Sequence, residues 1–139
     1  MNPDMNRAAS AYRQVATFVP PATAVVLLYD KVIVLLQRAI QAIQAGHAEE
    51  SYGCLSKATM ILRGLSHILD FERGGAVAEM LRTTYTRNIL ALHGSFGKPD
   101  MVERYVKIIG GLSDLRASWA GVAGLARTEE RKPEPAGRI

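Results

Sequence analysis

Few side chains in this sequence are spaced for chemistry. The three histidines, His47, His67 and His93, are spread along the chain, with no pair at metal-ligand spacing. His47 and Glu50 lie three residues apart, but at a helix start such a pair reads as capping or solvated polarity. The single cysteine, Cys54, has no pattern around it that would lower a thiol pKa, so it reads as a small buried or half-buried apolar residue. Asp30 stands inside an apolar run. It is either a buried functional carboxylate or, the simpler reading, an acid that faces water or pairs with a lysine or arginine. Gly74-Gly75 and Gly110-Gly111 are not phosphate cradles in an all-helical context, where turn and packing roles suit them better. No P-loop, dinucleotide fingerprint or nucleophile elbow is present. The expectation is a non-enzyme with no catalytic residue, no metal and no cofactor.

The elements that would carry these residues are helices. Between Val25 and Leu36 the chain reads VVLLYDKVIVLL, which is apolar on nearly every side. Such a helix must be central to a bundle or half-covered by something else. The first helix is expected from Pro21 to about Ala45, ending at Gly46, with one stripe through Val25, Leu28, Val32, Leu35, Leu36, Ala39 and Ile43. Val26, Ile33 and Ile40 form a second stripe. The second helix is expected over His47–Asp70, with Leu55, Ala58, Leu62, Leu65 and Leu69 inward and Met60, Ile61 and Ile68 outside that stripe. Arg73-Gly74-Gly75 would end this segment. The third helix spans about Ala76–His93. The fourth opens with Asp100 as N-cap and Glu103 three residues on, a capping-box pattern, and runs past Trp119. Gly110-Gly111 inside it is either a close-packing point or a soft spot. Short connections favour antiparallel neighbours, so the expected fold is an all-α, antiparallel four-helix bundle over residues 21–126. Residues 1–20 read as a mobile N-terminal segment, and residues 127–139 as a disordered tail.

The chain has 139 residues, enough to bury a core in one domain; 48% are hydrophobic and 22% charged. Its net charge of +4 is scattered rather than clustered, which argues against nucleic acid as a partner. One cysteine suits a reducing cytoplasm. The N-terminus lacks the apolar core of a signal peptide, and the longest apolar run falls short of the roughly 20 residues of a membrane span. The expected location is cytoplasmic, with no membrane insertion.

Taken in order, Ala11-Tyr12, Leu28-Tyr29-Asp30, Leu69-Asp70-Phe71-Glu72-Arg73-Gly74-Gly75, Leu81, Tyr85 and Trp119 resemble the flagellar secretion chaperone family FliS over about residues 8–122. No single piece is specific, but their order and the helix lengths between them are. The resemblance implies a cytosolic export chaperone. Such a protein binds the disordered C-terminal segment of flagellin, prevents its premature polymerisation and helps deliver it to the export gate protein FlhA of the flagellar type III secretion apparatus. Partner segments that fold on binding lay helices into apolar grooves. Candidate groove residues are therefore Val26, Ile33, Ile40, Met60, Ile61 and Ile68, each of which could equally finish the core.

The resemblance also implies that the stretch around Tyr12 covers an apolar site in the free chaperone and engages the export gate; Tyr12 could instead be a plain anchor packed on the bundle. Relatives often carry a larger aliphatic residue at the position of Ala9, and the smaller alanine would weaken docking there by about 1–2 kcal/mol. Pro20 stands where a capping serine is common, which removes a cap of roughly 1 kcal/mol. The expected state is a monomer or weak homodimer. Two other readings stay open on the residues alone: a helical adaptor or anti-regulator that binds a different secreted or regulatory protein, and a bundle whose surplus apolar surface closes a homodimer.

Overall fold

The computed structural model describes residues 22–131, with side chains as far as residue 124. Four helices follow one another: α1 (Ala22–Gln44), α2 (Ala48–His67), α3 (Phe71–Ser95) and α4 (Met101–Arg131). The expected all-α bundle is the fold observed. Ala9, Tyr12 and Pro20 lie outside the described residues, as does the rest of the expected N-terminal segment. The α4 backbone continues as helix to Arg131, past the Arg127 boundary expected for a tail.

The ring closes through α1 against α2, α2 against α3, α3 against α4 and α4 against α1. The α1 contacts with α2 and α4 are the extensive ones, and α3 sits more loosely between its neighbours. This is why α1 can be apolar on two stripes. Val25, Tyr29, Val32, Leu35, Leu36 and Ala39 are buried, and Leu28, Ile33, Ile40 and Ile43 are half-buried against the same core. Leu55, Leu62, Leu92 and Leu112 complete the centre with no exposure at all. Burial of each such side chain is worth about 1.5–3 kcal/mol.

Helix ends follow local chemistry. Gly46, at φ +81°, closes α1, with His47 N–H donating to the Ala42 carbonyl at 2.8 Å and Gly46 N–H to that of Ile43 at 3.1 Å. This pairing is the Schellman arrangement, which needs a residue in the left-handed region. Glu49 and Glu50 occupy the first turn of α2, as expected for carboxylates at the positive end of a helix. His47 and Glu50 form an exposed pair at 3.5 Å, and the His47 side chain makes no capping bond.

The second connection differs from the expectation. α2 stops at His67 rather than Asp70, and Asp70 instead caps α3, its carboxylate accepting from Glu72 N–H at 3.0 Å and Arg73 N–H at 3.1 Å. A carboxylate that takes two orphan N–H groups does more at a helix start than at a helix end. The next helix thus begins at Phe71 rather than Ala76, and Gly75 breaks it with φ +47° and ψ −122°. Asp100, expected as an N-cap, is held by Arg104 one turn on at 2.6 Å, which draws its carboxyl below the usual range.

Gly110 and Gly111 interrupt nothing. α4 runs straight through them, both are exposed, and a Cβ added at either meets no atom within 4 Å. The close-packing role is therefore excluded, and what is left is backbone freedom. Gly110→Ala and Gly111→Ala are each expected to stabilise the bundle by about 0.5–1 kcal/mol. Thermal unfolding of the two variants checks this, and a loss of stability in either would mean a contact exists at that position.

Candidate functional site

The structural surprise lies in the polar groups that cross the bundle. Tyr29 on α1 and Tyr85 on α3 are completely or almost completely buried, and their hydroxyls hydrogen-bond to each other. The rings are tilted, with centroids 6.3 Å apart. α1 and α3 face one another diagonally across the ring of helices, so this pair spans the core. Burial pushes both phenols above their ordinary pKa, and for Tyr29 the bond with Tyr85 opposes the rise. The third buried phenol, Tyr105, donates to the Leu92 carbonyl at 3.0 Å and ties α4 to α3.

One turn before Trp119, Arg116 reaches across to Asp30. Its Nε and Nη2 donate to the two carboxylate oxygens, the second bond at 3.2 Å. Both side chains are partly exposed. Asp30 thus takes the simpler of the roles open to it, paired to a cation, and the bidentate geometry is the fork that arginine offers a carboxylate. Arg116 carries no signal in the sequence, since its partner lies 86 residues away.

Above the tyrosine pair lies an apolar cleft of about 280 Å³. Val25 from α1, Leu65 and Ile68 from the end of α2, and Val77, Ala78 and Leu81 from α3 make its walls. Tyr85 and Trp119 form the polar-tipped floor, and the segment from Leu69 to Gly74 closes one side. Almost all of the lining is carbon. A small, largely apolar concavity with a few aligned polar groups is the usual form of a binding site. Among the described residues, no His, Cys, Asp and Glu cluster could hold a metal ion.

The structure disperses the groove residues expected from sequence. Ile68 lines the cleft. Val26 is buried in the core, and Ile33, Ile40 and Ile61 are half-buried against it. Met60 is 69% exposed on α2 and stands apart from the cleft. Cys54 is half-buried beside the core, in the small apolar role expected of it. His93 bonds the buried Thr59 hydroxyl at 3.2 Å and meets the edge of Tyr52, which also packs on Phe96. The sequence reading did not mark Leu65, Val77, Leu81, Tyr85 or Trp119 as site residues. Periodicity assigns them to an inward face but cannot say that the face opens.

Fold and cleft together define an all-α helical bundle with an apolar concave surface. Comparison with known proteins narrows the class. The family model described as "Flagellar protein FliS" matches residues 5–126. A curated relative from Campylobacter jejuni subsp. jejuni serotype O:6, named "Flagellar secretion chaperone FliS", is 31% identical over 110 residues, covering 77% of this chain and 86% of the relative. The chain belongs to the FliS family, which is a family of chaperones rather than enzymes.

Proposed function

We propose that this chain is a cytoplasmic flagellar export chaperone that binds the disordered C-terminal segment of flagellin, keeps it from polymerising and assists its delivery to the export gate protein FlhA. The observation that carries the reading is the apolar cleft lined by residues of all four helices, in a chain of this family. A segment that folds on binding brings apolar side chains that need covering, and the cleft offers carbon surface with little polar competition. Its volume is slightly below the roughly 300 Å³ at which drug-sized pockets begin, so it suits a few anchoring side chains rather than a whole helix.

The resemblance also suggests an occupant for the cleft in the free chaperone. Residues 1–21 join α1 at Ala22, three positions before Val25 in the cleft wall. The stretch around Ala9 and Tyr12 would cover the cleft until flagellin displaces it, and would then be free for the export gate. No helix among the described residues is long and apolar enough to cross a membrane, which is compatible with this location.

Calorimetric titration with the C-terminal segment of flagellin from the same cell tests the proposal. The expected result is a one-to-one complex with a strongly negative heat-capacity change and a gain in helicity. Absence of both heat and stabilisation would overturn it in favour of a different protein partner.

A further inference from the structure

α3 is broken once, and the break falls beside the cleft. Gly75 adopts φ +47° and ψ −122°, a region that residues with a Cβ avoid, and so separates the turn Phe71–Gly74 from the rest of the helix. That turn is bonded within itself. The Asp70 carboxylate accepts from Glu72 and Arg73 N–H, and Gly74 N–H donates to the Asp70 carbonyl at 2.7 Å. Its capping bonds would survive if it moved as a unit. The link back to α2 is thin: Ile68 N–H reaches Gly64 O at 3.3 Å and Leu69 N–H reaches Ser66 O at 3.4 Å.

This same segment forms one side of the cleft, where Leu69, Asp70, Arg73 and Gly74 all line the cavity. Leu69 anchors its start, half-buried against the core, and the turn beyond it is held at the surface. The Arg82 guanidinium sits over the Phe71 ring, 5.0 Å from its centroid, and Phe71 is 38% exposed. Arg82 is itself oriented by Glu79 at 3.2 Å. Close approach also matters: a Cβ on Gly74 would stand 2.8 Å from that of Ala78, so the turn rests against α3 only because residue 74 is glycine.

We propose that the turn Asp70–Gly74 is a hinged cover for the apolar cleft, pivoting at Gly75 and latched by the Phe71–Arg82 contact. With the latch made, the turn walls the cleft; with it released, the turn swings as one piece and exposes Tyr85 and Trp119 to an incoming side chain. Its consequence for partner binding rests on the reading of the cleft given above, but the motion can be tested with no partner present.

Trp119 is the one tryptophan of the chain and lies in the cleft, so it reports directly. The experiment is acrylamide quenching of Trp119 in the full chain, with amide exchange at Ile68 and Leu69 as a second readout. A cation–π contact at an exposed site is worth a factor of about two to five in an equilibrium. Phe71→Ala and Arg82→Ala should each raise quenching and speed exchange at Ile68 and Leu69 by about that factor, while exchange within α1 stays unchanged. Phe71→Tyr, which keeps an aromatic face, should behave as the parent. Gly75→Ala, which cannot keep the break, should hold the turn in line with α3 and leave Trp119 accessible, so that adding Phe71→Ala changes nothing further. Unchanged quenching in the two latch variants would overturn the proposal, as would parental quenching in Gly75→Ala. Should Gly75→Ala fail to fold, the latch variants decide alone. A flagellin segment that fails to bind would refute the proposed function without touching this result.

Discussion

Tyr29→Phe is expected to destabilise the bundle by about 1–3 kcal/mol, although it removes a single oxygen. The reason lies in what remains. The Tyr85 hydroxyl, in a residue only 1% exposed, loses its bond to Tyr29 and is left buried without that partner. Tyr85→Phe should cost a similar amount, because the Tyr29 hydroxyl, in a residue with 0% exposure, is orphaned in the same way. The double variant should recover part of the loss, since it removes both orphaned groups and leaves two rings of nearly the parental shape. A double-mutant cycle by urea denaturation measures this coupling. If the two single losses simply added, the hydroxyls would not be partners in solution.

The same residues set the alkaline limit of stability. Burial holds Tyr29, Tyr85 and Tyr105 above the ordinary phenol value of 10.0 in the folded chain. The unfolded chain therefore releases these protons first. Their contribution is fully present below pH 10 and is lost as the pH climbs through the folded values. Stability should fall above pH 10, with tyrosinate absorbance rising together with unfolding, and the Tyr29→Phe/Tyr85→Phe chain should fall less steeply. A parental protein in which Tyr29, Tyr85 and Tyr105 ionise while its helicity stays intact would contradict the burial argument.

Val77→Asp should weaken binding of the flagellin C-terminal segment by about tenfold or more, because an unpaired carboxylate in an apolar contact must lose its water. Val77 is 61% exposed and lines the cleft, so the fold itself should change by no more than about 0.5 kcal/mol. Met60→Asp gives the contrast. Met60 is more exposed still, but it stands apart from the cleft, and its replacement should leave affinity near the parental value. The reverse pattern, with Met60→Asp disabling and Val77→Asp harmless, would move the binding surface to the outer face of α2. Calorimetry on both variants, with melting curves as the control for folding, separates these outcomes.

Much of the bundle was legible because helix formation is a local, periodic property. The repeat Leu55, Ala58, Leu62, Leu65 predicts one inward stripe, and all four are buried. Gly46 was legible as the end of α1 because a left-handed position next to a helix favours glycine. From sequence Asp70 reads as the last residue of one helix, whereas in the structure it caps the next. The acid-rich turn Asp70-Phe71-Glu72 was the signal that could have corrected this. The site was less legible. Val26, Ile68 and Met60 look alike as apolar residues off a main stripe, yet one is buried in the core, one lines the cleft and one faces out.

The sequence alone thus determined the helices, their inward faces, the absence of recognisable catalytic motifs and the family resemblance. All of these depend on residue type and near-neighbour spacing. Only the tertiary structure decided that Asp30 meets Arg116, that Tyr29 meets Tyr85 across 56 residues, and that the four helices leave an apolar cleft between them rather than closing on one another. Periodicity says which side of a helix avoids water; the relative placement of the helices says what covers that side, and where nothing does.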